Sequence, residues 1–487
     1  MNVLLLGFAV AVAAGLGIAL LDVTIRRAEV GAALVFLSAI IQAVFIFAVP
    51  SVSVGGMRVG CTDVAAVIVL AAAAARCLRL RRFGRYQYWL LLLSVLLLVS
   101  LVLGMAQHGI QTSVSDSRQY LFFVGAALYM ATFRPAADLY DRIGRIWLMA
   151  AVLMILLACA RWMRVFAGVD LGVPAERYGV DTAVRVLDGP YAFFLAGPLL
   201  LTVPFWLRRG QQARWVPILG AVLLVVLIAL DRRTVWLAVV IGISVLLLRG
   251  RRLGARSVAL VVAASIVTVL TFAGDVQARD QVPAGAVTST GSVTWRVEGW
   301  SDVIASWSAS PVSWLIGTPF GGGFARTIDG SSTNAHPHNF YIETMIRAGL
   351  GGLIALLALT VGLLRRVWRI PVGATRLLEP GVLAPLLAMQ LVWYITWVPG
   401  LEQGIVTGMA VAVALAGARR GAAGRLGPAG PSRSRPGGPA QPAARSAPPG
   451  ARTTCRPPPA HPSRDADVAA PPPPTSSRMA RGRPGPA

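Results

Sequence analysis

Lysine is absent from this chain of 487 residues, so all 45 of its basic residues are arginine. Set beside 50 glycines and 32 prolines, that bias reads as GC-rich coding and not as a functional choice. Charge is scarce as well. Charged residues make up 14% against 56% hydrophobic ones, which excludes an ordinary soluble domain and describes a polytopic membrane protein. There are four cysteines, Cys61, Cys77, Cys159 and Cys455, without CxxC or CxxH spacing, so neither a disulfide framework nor a zinc site is expected. The first apolar segment has no basic stretch before it, so no cleavable signal peptide is expected. Met1–Leu21 therefore reads as an uncleaved helix with its N-terminus outside. Histidine is almost missing too: of four, two are His336 and His338.

What is present is a series of apolar windows of roughly 17 to 22 residues, long enough to cross a hydrocarbon core of about 30 Å. Thirteen lie near 3–21, 30–49, 62–78, 88–106, 119–133, 146–160, 191–207, 215–230, 234–248, 257–273, 341–364, 381–398 and 404–418. Backbone polar groups in lipid must bond within their own segment, so these windows are helices. The expected fold is an all-α, polytopic transmembrane bundle of about 12–14 helices over residues 1–418, with one large extracytoplasmic loop at 274–340. Arginines in short loops stay cytoplasmic. Arg26 and Arg27, Arg79–Arg85, Arg134–Arg145, Arg208–Arg214, Arg249–Arg256 and Arg365–Arg376 occupy alternate loops. The loops between them, Arg161–Pro190 and 274–340 included, then face outward.

Residues 419–487 hold twelve Arg and two Asp, so ten of the formal charges of +24 belong to this segment. The charge is therefore no nucleic-acid footprint. A Pro-, Ala-, Gly- and Ser-rich composition cannot bury a core, and the segment reads as a disordered cytoplasmic tail drawn to anionic headgroups.

Chemistry is sought in the polar loop. Trp295, Val297, Trp300, Val303, Ile304 and Trp307 recur at helical spacing before Pro311, which suits an amphipathic helix on the outer bilayer surface. Arg296 stands four residues before Trp300 and shares its face, where it either snorkels or serves the bundle mouth. The glycine-rich Gly317–Gly323 stretch reads as a flexible turn; no strand and helix flank it as a phosphate-binding loop requires. His336-Pro-His338-Asn339 follows, at a wet, membrane-adjacent position suited to proton handling. A metal pair at His-x-His lacks a nearby third ligand, and a hydrogen-bonded structural histidine is the plain alternative. Between the windows at 215–230 and 234–248, Asp231-Arg232-Arg233 breaks the positive-inside trend. It suits either an ion pair holding two helix ends or a fork of donors for a diphosphate.

Taken in order, Asp231-Arg232-Arg233-Thr-Val-Trp-Leu-Ala, Trp295-Arg296-Val-Glu-Gly-Trp300, Ile316-Gly317-Thr-Pro-Phe-Gly-Gly-Gly and His338-Asn339-Phe-Tyr-Ile-Glu343 before Gly349-Leu-Gly351-Gly352 resemble the O-antigen ligase and polymerase family of integral membrane glycosyltransferases. The resemblance implies transfer or polymerisation of a glycan from a polyprenyl (undecaprenyl) diphosphate carrier onto an acceptor hydroxyl of a glycan, lipid or protein. It implies no metal and no cofactor, and places the chain in the bacterial cytoplasmic (inner) membrane with its site outward. Carried onto this chain, the helix-opening arginine falls on Arg233, the loop arginine on Arg296 and the histidine before asparagine on His338. Arg232, His336 and Asn339 are the expected substrate-binding neighbours. Family members carry a small polar residue where this chain has Arg232 after Asp231. A polysaccharide-lipid transporter is the alternative reading; it would carry its charges along a path at mid-membrane instead of at one face.

Overall fold

The structure is a computed structural model describing residues 3–45, 50–80, 83–168, 186–207, 215–249, 291–328, 331–334, 336–373 and 376–425. Its helices are α1 (Val3–Arg26), α2 (Ala28–Val44), α3 (Cys61–Cys77), α4 (Arg85–His108), α5 (Ile110–Ala131), α6 (Ala137–Phe166), α7 (Gly189–Leu207), α8 (Trp215–Ala229), α9 (Arg233–Arg249), α10 (Gly291–Ser308), α11 (Pro311–Ile316), α12 (Phe340–Trp368), α13 (Leu383–Trp393) and α14 (Leu401–Arg425). Two small antiparallel hairpins complete it. β1 (Ser51–Val54) pairs with β2 (Met57–Gly60), and β3 (Ala325–Ile328) pairs with β4 (Ser331–Asn334) in the register Ala325 opposite Asn334. The protein is thus all-α and polytopic. Of the thirteen apolar windows, twelve coincide with helices, and 257–273 lies outside the described residues, as do 426–487 of the tail. Among the described residues α4, α6, Gly189–Trp206 of α7 and α12 are long and apolar enough to cross a membrane unaided, and several shorter apolar helices accompany them.

Some boundaries differ from the hydropathy reading for physical reasons. The window at 119–133 is the second half of α5, whose first turns carry Asp116 and Arg118. Those charges depress hydropathy but are paired across the bundle, to Arg347 and Asp63. The window at 381–398 yields a helix that stops at Trp393. Pro399 drives Val398 toward extended backbone, and the chain turns with the Thr396 N–H donating to Trp393 O at 3.0 Å.

Lipid removes the hydrophobic drive between helices, so close packing of small residues carries association. On α14, Gly404 and Gly408 lie against α5: a Cβ on either would stand 2.3 Å from the carbonyl oxygen of Phe123 or Ala127. This seam fixes α5, the helix that carries Asp116 and Tyr120. At the bundle's arginine-rich end, arginines take up orphan carbonyls of helix C-termini. Arg76 donates to Ile25 O at 2.6 Å and stacks over Phe133, and Arg249 donates to Val367 O at 3.1 Å.

The first turns of α12 are set apart by a break at Gly349, which has φ +64° inside the helix. A Cβ there would lie 2.3 Å from Leu315 O of α11. Gly349→Ala is expected to destabilise the fold by roughly 1–3 kcal/mol through left-handed strain alone. The measurement is the thermal midpoint of the purified full chain; an unchanged midpoint would show that the break is not required.

Candidate functional site

Two helices supply the core of the site at i, i+4 spacing, which puts each pair on one face. Asp116 and Tyr120 project from α5 toward Glu343 and Arg347 of α12. Arg347 is 1% exposed, and its Nη2 lies 2.6 Å from Asp116 Oδ2. Nη1 donates to Pro319 O at 2.7 Å and Nη2 also to Gly323 O at 3.1 Å, while the guanidinium sits 4.2 Å above the Phe324 ring. Gly321 N–H adds a 2.9 Å bond to Asp116. The glycine-rich stretch expected to be a flexible turn is therefore pinned by one buried ion pair.

Glu343, fully buried, is the second centre. Tyr120 donates its hydroxyl to Oε2, the His338 backbone N–H donates to Oε1 at 3.1 Å, and His336 Nδ1 lies 3.6 Å from Oε2. A carboxylate removed from water is tolerated only when its lone pairs are taken in this way. The bond to His338 has a conformational effect. His338 adopts φ +53°, a left-handed backbone that costs a non-glycine residue about 1–2 kcal/mol, and the Glu343 carboxylate holds it there. Its ring is turned onto Trp397, 5.4 Å between centroids.

His336 is half exposed, with Nε2 3.9 Å from Asp116 Oδ1 and its ring 5.2 Å from Phe324. Its pKa is raised, first by contact with Glu343 and then by the charges of Glu343 and Asp116, against the opposing effects of burial and Arg347. A raised folded pKa means that the imidazolium's contribution to stability is complete below the ordinary histidine range and is lost as pH rises through the folded value. The thermal midpoint is therefore expected to fall as pH increases from 6 to 8.5, modestly because solvent screens the group. His336→Gln should flatten that slope; an unaltered slope would assign it to another group.

Asn339 caps α12. It is 6% exposed, and its Oδ1 accepts the Tyr341 and Ile342 N–H groups, each at 3.1 Å.

The other expected residues come from separate elements. Arg233 is the first residue of α9, where the helix dipole already favours an anion. Arg232, just before it, is engaged by Asp188 at 3.2 Å and Leu187 O at 3.1 Å. The tight α8–α9 turn has Asp231 at φ +48°. The next residue after Asp188, Gly189, lies against Trp397: a Cβ on it would be 2.9 Å from the indole. Through Asp188, Gly189 and Trp397, the arginine turn and His338 share one end of the bundle. Arg296 lies on α10, with its side chain outside those described. One turn later Trp300 donates its indole N–H to Pro337 O at 2.7 Å, between the two histidines. Val303 and Trp307 of α10 are buried against Phe324 and Ile346, so this face packs on protein where headgroup anchoring was expected. Residues 274–290 of the loop lie outside the described residues.

Sequence reading singled out none of Asp116, Tyr120, Glu343 or Arg347 as functional. A signal was available: two ionisable residues four apart inside an apolar span are costly and call for partners. Among the described residues no group of three or more His, Cys, Asp or Glu is arranged to hold a metal ion.

Residues 218–357 match the family model described as O-antigen ligase. The match spans α8 to α12 and so contains the arginine turn, α10 and the histidine corner, bearing out the resemblance carried by those motifs. No curated protein matches the chain.

Proposed function

From O-antigen ligase-type glycan transfer in cell-surface polysaccharide synthesis as the premise, we propose that the chain moves a glycan from a polyprenyl-diphosphate carrier to an acceptor hydroxyl. One observation carries the reading: α9's first turn, α10 and the corner before α12 come together at one end of the bundle. Arg233 and Arg296 bind the diphosphate and stabilise it as the bond to the anomeric carbon breaks and the pair of electrons leaves with phosphate oxygen. The acceptor oxygen forms the new bond at that carbon, and its proton passes to His338. This reading needs no divalent cation. Arg233 takes the donor as the residue that opens α9, and Arg232, bonded to Asp188 and Leu187 O, shapes the turn beside it. His336 and Asn339 support the corner, one beside Glu343 and the other as the helix cap.

The setting proposed is the bacterial cytoplasmic membrane, with residues 1–418 as the transferase domain, the site outward and 419–487 as a cytoplasmic tail. Deleting the gene and measuring surface polysaccharide length tests the function. Collapse to one repeat unit identifies a polymerase, and intact chains accumulating on the lipid carrier identify a ligase. Unchanged amount and length would overturn both.

A further inference from the structure

A second site lies at the opposite, arginine-rich end, between the start of α4 and the end of α12. There the two helices leave a cavity of about 400 Å³, lined by Arg85, Tyr86, Trp89, Arg365, Arg366 and Arg369 among others. The walls are tied together, since the Tyr86 hydroxyl donates to Gly362 O at 3.2 Å. Four arginines line one hollow, and among the described residues its lining holds no carboxylate. Arginine cannot shed its charge, so such a cluster calls for an anion, and planar forks of donors match phosphate oxygens.

Arginines at a helix end also serve as a topology signal, and that role asks for nothing more than charge near the interface. Two features here go beyond it. The cavity is walled by aromatic rings, which favour the headgroup level. It also continues into a second, nearly apolar hollow that shares Arg85 and Trp89 and runs past Tyr88 and Leu92. Beyond Leu92, Val95, Val99 and Val102 extend an exposed apolar strip along the same helix. A cationic head site opening onto an apolar groove has the layout of a phospholipid, not of a soluble anion. The chain's own residues 419–487, with twelve Arg against two Asp, carry the wrong charge to fill it.

We propose that this cavity binds the phosphate headgroup of an anionic phospholipid, with an acyl chain lying along the Tyr88–Leu92 groove. The site is independent of glycan transfer and stands whether or not that reading holds.

Lipid binding to the full-length, delipidated protein in detergent tests it, by native mass spectrometry with phosphatidylglycerol, cardiolipin, phosphatidylcholine and inorganic phosphate as separate probes. The anionic lipids should bind at least about 10-fold more tightly than phosphatidylcholine. The triple variant Arg85→Gln, Arg365→Gln, Arg366→Gln should remove roughly 10–100-fold of that affinity, each arginine near a headgroup counting severalfold. The charge-matched triple Arg27→Gln, Arg79→Gln, Arg134→Gln should leave it within about twofold, because its arginines lie outside the cavity. Leu92→Ser should weaken lipid and leave phosphate unchanged. Equal loss in both triples would reduce the effect to diffuse charge and overturn the site. Phosphate binding as tightly as lipid would make it an ion site and overturn the lipid assignment, and so would equal affinity for phosphatidylcholine.

Discussion

Replacing His338 by alanine should lower glycan transfer by about 10²–10⁴-fold, the usual loss when a positioned proton acceptor is removed. The backbone complicates the test, because His338 sits at φ +53° and any L-residue placed there keeps the strain. Glycine adopts that conformation at no steric cost. His338→Gly should therefore fold at least as well as His338→Ala and be equally inactive, which separates imidazole chemistry from corner geometry. The readout is transfer from a lipid-linked donor in membranes, normalised to protein present. Activity within a few-fold of the parent in either variant would end the assignment of the proton to His338. Arg233→Ala is expected to fall by about 10²–10³-fold, as for the loss of one charge-stabilising group. Arg232→Ala should act differently: it breaks the contacts to Asp188 and Leu187 O, so its effect belongs first to stability.

The second large effect concerns stability at Arg347. Arg347→Met preserves length and apolar volume but leaves Asp116 buried opposite a thioether, and breaking a buried pair from one side costs about 3–5 kcal/mol. It also deprives Pro319 O and Gly323 O of their donor, so the 317–324 segment should loosen in the same variant. Removing the stranded charge as well, in the double variant with Asp116→Asn, should restore part of the loss. Thermal midpoints of the two single variants and the double variant measure the coupling. Strict additivity would mean that the pair at 2.6 Å contributes no coupling. Glycan transfer in the double variant then reports whether the pinned loop matters to the site.

Much of this molecule was legible because its signals are local. Apolar runs of membrane-crossing length marked twelve described helices, and the Asp231-Arg232-Arg233 turn, which breaks the positive-inside trend, and the paired histidines marked the end of the bundle that holds the candidate site. The order of motifs from Arg233 to Gly352 fell within the segment that matches O-antigen ligase. What escaped was non-local. Tyr120 and Glu343 are 223 residues apart, and no periodicity in either helix announces that one will take the other's hydroxyl. Hydropathy averages even placed the start of α5 outside the membrane window, since they count Asp116 as a cost without seeing its arginine.

The sequence by itself therefore determined the class of fold and the residue types offered for chemistry, because hydrogen-bond closure in lipid and side-chain polarity act along a single segment. Only the tertiary structure decided how those residues are used. It committed Arg232 to Asp188, gave Asn339 a helix to cap, turned His336 to Glu343 and held His338 in a strained backbone against Trp397. Those assignments depend on which helices lie side by side, and in lipid that is settled by close-packed seams such as Gly404 and Gly408 of α14 against α5, not by any property of one helix alone.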